Sequence, residues 1–165
     1  MEKLNLYCDV DSTINNHWVR AQKHYGTNLF SERYVIMQDS PLPGAREVLW
    51  EYSDRFNIHY LTARPYNQAY SITHDWLVDN DFPIDSITVV NSSMDKVAFL
   101  LKNSVDIFID DLSADQKNHG SYKILHEDVI KKLEELSIPY LRFKGDWEEV
   151  KGRLELCLDQ IQKQK

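Results

Sequence analysis

Short apolar runs alternate with helix-length amphipathic segments along this chain, and that alternation limits what it can fold into. The runs are Leu4–Cys8 leading into Asp9 and Asp11, Asn57–Thr62, Ser86–Val90, Val105–Ile109 and Tyr140–Phe143. Between them lie apolar stripes at helical spacing. Ala45, Val48, Leu49 and Tyr52 follow Pro43-Gly44; Ala69, Ile72, Trp76 and Leu77 follow Pro65 and stop at Asn80. Val97, Leu100 and Leu101 follow Ser92-Ser93-Met94-Asp95, the spacing of a helix start. Further helices are expected from about Glu127 to Leu136, and through Trp147, Val150, Leu154, Leu158 and Ile161. Trp50, Trp76 and Trp147 are expected in the core. Strands alternating with helices form a parallel sheet covered on both faces, an α/β architecture.

In such a sheet, ligands bind beyond the carboxyl ends of the strands. The polar residues that fall there are Asp9, Asp11, Thr62, Arg64, Asp110 and Asp111. Alternate strand residues point the same way, so Asp9 and Asp11 are expected to leave the first strand together. Two carboxylates that close destabilise each other unless a proton or a cation lies between them. A hard divalent ion held by oxygens, Mg²⁺, is the simplest such cation. The plainer reading makes both acids turn formers. Polar residues following apolar runs at three separate strands weigh against it. Carboxylates from two strands can bind Mg²⁺ and leave room for a phosphate oxygen. An aspartate can also attack phosphorus, and a second acid two residues on can handle the proton. Thr62 offers a hydroxyl and an N–H, and Lys96 stands in the first turn of its helix, near the positive end, where an anion is favoured.

The 165 residues suit one domain, 1–165, able to bury a core without a metal or disulfide. The formal net charge of -7 argues against a broad nucleic-acid groove or an anionic membrane as main partner. Cys8 and Cys157 lack metal-ligand spacing and read as free thiols of a reducing compartment. With no leader pattern and no membrane-length apolar run, the expected location is cytoplasmic. The stretch at about 15–40 reads as a short flap, with a helix over Asn16–Tyr25 stopped by Gly26 and about one turn around Ser31–Met37. Within it, Trp18 and Tyr25 are either flap core or a surface for stacking a base, and His17 and Arg20 are candidate substrate contacts. Arg64 either reaches substrate or pairs with a surface acid.

The chain resembles the haloacid dehalogenase-like phosphohydrolases. Asp9-Val10-Asp11-Ser12-Thr13 matches that family's Asp-x-Asp-x-Thr motif, and Ile58-His59-Tyr60-Leu61-Thr62 its apolar strand ending in Thr or Ser. Lys96 matches its helix-start lysine, with Lys102 as competitor. Ile107-Phe108-Ile109-Asp110-Asp111 matches its strand ending in paired acids, with Asp115 competing for the outer metal position. The resemblance implies a Rossmann-like three-layer sandwich with a parallel sheet of about five strands and a minimal cap. It puts the first strand at the centre and Ser86–Val90 toward an edge. It also implies a Mg²⁺-dependent phosphomonoesterase acting on a small phosphate ester. Asp9 would be nucleophile; Asp11 would be acid/base and lend its carbonyl to the metal. Asp110 and Asp111 would be metal ligands, and Thr13, Thr62, Ala63, Arg64 and Lys96 would hold phosphate or substrate. The Leu61-Thr62-Ala63-Arg64-Pro65 wording and the Ile138–Phe143 tail followed by Trp147 look most like the 5'(3')-deoxyribonucleotidase-type branch, which implies a nucleoside monophosphate. A polynucleotide-end or sugar-phosphate phosphatase, and a non-catalytic phosphate-binding module, are the alternatives. The oligomeric state is not legible.

Overall fold

In the computed structural model, which describes residues 2–113 and 125–164, five strands form one parallel sheet in the order β3-β2-β1-β4-β5. They are β1 Leu4–Cys8, β2 Phe56–Ala63, β3 Ser86–Val90, β4 Ile107–Asp110 and β5 Tyr140–Arg142. The helices are α1 His17–His24, α2 Arg33–Ile36, α3 Ala45–Tyr52, α4 Ala69–Asp79, α5 Ser93–Leu101, α6 Glu127–Glu135 and α7 Trp147–Lys163. A 3₁₀ turn, Asn28–Ser31, lies between α1 and α2. This is the expected α/β sandwich, with β1 at its centre and β3 at an edge.

The period of two along each strand sorts the core into two layers. Leu6 and Cys8, Ile58 and Tyr60, and Ile107 and Ile109 pack with α3, α4 and α7. Tyr7, Leu61 and Phe108 pack with Val97 and Leu100 of α5 and Val129 and Leu133 of α6. Each such side chain contributes about 1.5–3 kcal/mol by leaving water. The same parity aims the strand ends. Asp9 and Asp110 each stand two residues beyond an α5-facing aromatic, Tyr7 and Phe108, so they continue that face. Register holds them there: β1 pairs with β4 through Cys8 and Ile109, and the Asp9 amide donates to the Ile109 carbonyl at 2.8 Å.

Three expectations shift. Trp50 is not core: it is 47% exposed, and its indole N–H donates to the Asp81 carbonyl. The stripe Ala45, Val48, Leu49 and Tyr52 turns α3 so that position 50 faces outward. β2, expected over Asn57–Thr62, holds Thr62 as expected but is one residue longer at each end, Phe56–Ala63. The helix expected at Pro65 begins at Ala69, behind Gln68 at φ 61°.

The flap is built from α1, the 3₁₀ turn and α2. Its base is closed by paired bonds, Asn16 N–H to the Ser40 carbonyl at 2.9 Å and Ser40 N–H to the Asn16 side chain at 2.7 Å. Trp18 packs against the α3-side core, as flap core would. Tyr25 is 46% exposed and meets the Phe30 ring edge-on. Cys8 and Cys157 are free thiols. Among the described residues, no helix is long and apolar enough to cross a membrane.

Candidate active site

β1 ends at Cys8, and the chain then turns sharply, with Ser12 in the left-handed region at φ 67°. Asn15 holds this turn: its side-chain oxygen accepts from the Ser12 amide at 2.9 Å and from the His17 amide at 3.2 Å. Both acids lie beyond the end of the strand. Their carboxylates enter two different clusters. Asp9 groups with Asp110 and Asp111, and Asp11 with His17 and Asp39; within each group one ligand atom per residue lies within 4.8 Å of the others.

In the first cluster, Lys96 of α5 donates to Asp9 Oδ1 at 2.9 Å and to Asp110 Oδ2 at 2.8 Å. Ser92 caps α5 by accepting from the Asp95 amide, which fixes the turn that carries Lys96. Lys102, the competing lysine, stands at the far end of α5. Asp110 Oδ1 accepts from the Leu112 amide at 2.8 Å. One ammonium faces three buried carboxylates. Burial, and then the charge of Asp110, push the carboxyls of Asp9 and Asp111 well above the usual range. Burial would also raise Asp110, but Lys96 and the Leu112 N–H overcome it and hold that group low.

The second cluster has the opposite balance. Arg64 grips Asp11 with two bonds, Nε to Oδ2 at 3.0 Å and Nη2 to Oδ1 at 2.7 Å. Arg20 reaches the same Oδ1 at 3.3 Å and bonds Asp39 at 3.2 Å. His17 Nδ1 lies 3.5 Å from Asp11. Burial alone would raise the Asp11 carboxyl; Arg64, His17 and Arg20 together hold it well below the carboxylate range. Asp39, deeper and with Arg20 as its bonded cation, is pushed up to about 6 by burial.

A cleft of about 510 Å³ opens over the first cluster. Asp9, Asp11, Thr62, Ala63, Lys96, Asp110 and Asp111 all line it, so three strand ends and α5 meet at one place. Among the described residues, Thr62 Oγ1 is buried there with no hydrogen-bond partner, an orphan group that an anion oxygen would satisfy. Two of the expected site residues stand elsewhere. Thr13 is fully buried; its hydroxyl donates to Asp9 Oδ2 at 3.0 Å and accepts from the Asp111 amide at 3.1 Å. It braces the two acids rather than facing the cleft. Arg64 is 2% exposed, and its guanidinium is taken up by Asp11 and by Thr73. It pairs with an acid, as one reading had it, but with a half-buried one at the site. Asp115 lies outside the described residues.

Residues not picked out in the sequence also line the cleft: Ser93, Leu112, Ser113, His126 and Val129. Ser93 opens α5 and His126 directly precedes α6. Helix starts face the carboxyl ends of parallel strands, and that rule could have found both.

Three carboxylate oxygens converging with one ammonium match the donor set of a hard cation such as Mg²⁺. The oxygens come from Asp9, Asp110 and Asp111. The Asp11 carboxylate is turned away to the arginines and is not part of that set.

No protein-family model matches the chain, and no curated protein matches it. Solved structures do. A chain of the Pnkp1/Rnl/Hen1 complex aligns with 88% of this chain and 48% of its own length, at TM-score 0.58 and 17% identity. A chain of the Pnkp1/Rnl/Hen1 RNA repair complex aligns with 86% of this chain and 42% of its own, at TM-score 0.56 and 16% identity. The chain thus spans about half the length of those chains, and the likeness establishes a shared α/β fold.

Proposed function

We propose that the protein is a Mg²⁺-dependent phosphomonoesterase of the haloacid dehalogenase-like type. One observation carries the reading: Asp9, Lys96, Asp110, Asp111 and the unpartnered Thr62 hydroxyl meet in a single cleft at the carboxyl ends of β1, β2 and β4. Mg²⁺, when held by Asp9, Asp110 and Asp111 with the Asp11 carbonyl, would neutralise charge on the phosphoryl oxygens. Thr62 and Lys96 bind the remaining phosphoryl oxygens. A carboxylate oxygen of Asp9 forms the bond to phosphorus while the bond from phosphorus to the leaving oxygen breaks. Asp11 hands a proton to that leaving oxygen. Because Asp11 rests as a carboxylate, the proton enters with the substrate, whose phosphate monoester has a second pKa of about 6. Water then attacks the aspartyl phosphate, Asp11 takes its proton, and phosphate departs with Asp9 restored.

The substrate class we favour is a nucleoside monophosphate or similar small ester. A second reading, a phosphatase acting on polynucleotide ends, draws support from the neighbours' place in an RNA repair complex; the net charge of -7 opposes it. Turnover of a panel of nucleotides, sugar phosphates and phosphorylated oligonucleotides, with Mg²⁺ and with EDTA, separates the readings. Preference for mononucleotides supports the first, and much faster cleavage of the oligonucleotide the second. No turnover of any ester with Mg²⁺ would leave a phosphate-binding module.

A further inference from the structure

Helix α4 contributes no residue to the cleft lining, yet it anchors both ends of the network around Asp11. Thr73 Oγ1 accepts from Arg64 Nη1 at 2.9 Å and donates to the Ala69 carbonyl at 2.7 Å. That second bond fixes the hydroxyl so that its lone pair faces the guanidinium. One turn on, the Trp76 indole N–H donates to the Asp39 carbonyl at 2.9 Å. Asp39 in turn holds Arg20 through its side-chain oxygens. Arg64 and Arg20 then close on Asp11 from two sides. Thr73, Arg64, Arg20 and Trp76 are all buried. An arginine fork can dictate both the place and the plane of a carboxylate, which a single lysine contact cannot.

We propose that Arg64 and Thr73 are positioning residues: Thr73 sets the guanidinium of Arg64, and Arg64 sets the carboxylate of Asp11 where it meets the leaving oxygen. The proposal rests on the phosphomonoesterase reading and adds α4 to the machinery. It replaces a substrate contact at Arg64 with an intramolecular one. Its signature is the dependence on the leaving group. A nitrophenolate leaves without a proton, whereas an alkoxide needs one. Misplacing Asp11 therefore harms alkyl esters selectively in kcat/KM, which reports formation of the aspartyl phosphate, while the later hydrolysis slows alike for both esters.

The test compares p-nitrophenyl phosphate with an alkyl phosphate for wild type, Arg64→Gln, Thr73→Val and Thr73→Ser, all with Mg²⁺. Arg64→Gln should lose on the order of 100-fold in kcat/KM on the alkyl ester and less than about 10-fold on the aryl ester. Thr73→Val, which keeps the shape and drops the hydroxyl, should show the same bias at about 10-fold. Thr73→Ser, which keeps the hydroxyl, should stay within about twofold of wild type. Equal losses on both esters, or no loss in either variant, overturn the proposal. A crystal structure of Thr73→Val supplies a readout independent of turnover. A displaced Asp11 carboxylate supports the proposal, and an unmoved one overturns it. If wild type cleaves neither ester, the phosphomonoesterase reading fails by itself, and the crystal structure still decides whether α4 places Asp11.

Discussion

Asp9 and Asp11 are two residues apart and live in opposite electrostatic worlds. Asp9 shares one ammonium with two other buried acids. Asp11 and Asp39 share two guanidiniums, with an imidazole beside them. The first region is short of positive charge and raises the Asp9 carboxyl; the second has enough and lowers that of Asp11. The partners make the difference: Lys96 stands beside Asp9, and Arg64 and Arg20 beside Asp11. A short acid-x-acid motif can thus deliver two carboxylates of different character, one crowded by other acids and raised, the other held ionised by arginines.

The contrast can be broken most sharply by activity. Asp9→Asn should lower kcat on the order of 10⁴-fold or more on every ester, with far-ultraviolet circular dichroism unchanged. Asp11→Asn should instead spare aryl esters relative to alkyl ones in kcat/KM, which reports loss of the leaving group. Equal losses on both esters from both variants would erase the division of roles.

Next in size is Lys96, the single cation of the acid-rich region among the described residues. Lys96→Gln leaves Asp9 and Asp110 without their ammonium, and should cost about 3–5 kcal/mol in urea unfolding of the metal-free protein. A cost under about 1 kcal/mol would mean that the cluster is stable without Lys96.

Metal should then act on this region with a defined pH trend. Asp9 and Asp111 have raised pKa values in the fold. At low pH they hold protons more tightly than the unfolded chain does, and that stabilisation is lost as pH rises through the raised values. Mg²⁺ needs both ionised and relieves their repulsion. The thermal shift produced by Mg²⁺ should therefore grow from pH 5 to pH 8. At a hundred times its dissociation constant it should reach about 2.7 kcal/mol. A shift that shrinks as pH rises would contradict the assignment.

The smallest effect sharpens the comparison by sign. Without metal at pH 8, Asp11→Asn should destabilise by about 2 kcal/mol, since two arginines lose a charged acceptor. Asp9→Asn, which removes one of three crowded charges, should raise the melting temperature. Shifts of the same sign would show that the two regions do not differ as described.

The sheet was legible because a strand buried on both faces needs only a short continuous apolar run, and each such run became a strand. The strand-end acids, Thr62 and Lys96 were legible for the same reason: they sit at fixed offsets from those runs. The flap was less so. α2 has four residues, too few for a helical period to show. Asn15, Asp39 and Thr73 carried no sequence signal as site residues, since each acts through partners brought near only by tertiary folding. Arg64 was visible as a strand-end cation, but nothing in the sequence says that its partner is Asp11, 53 residues earlier. The expectation that both acids leave the strand together holds in part: both line the cleft, but β1 stops at Cys8 and their carboxylates join different clusters.

Trp147, at the start of α7, donates its indole N–H to the carbonyl of Thr13 at 2.9 Å, and Thr13 braces Asp9 and Asp111. The strand that carries Asp9 is made early in translation, yet the loop that shapes it is fastened by a residue 134 positions later. A nascent chain halted before α7 would hold all of the reactive side chains and lack their last fastening. Under the phosphomonoesterase reading proposed above, activity should therefore emerge only when α7 has been made.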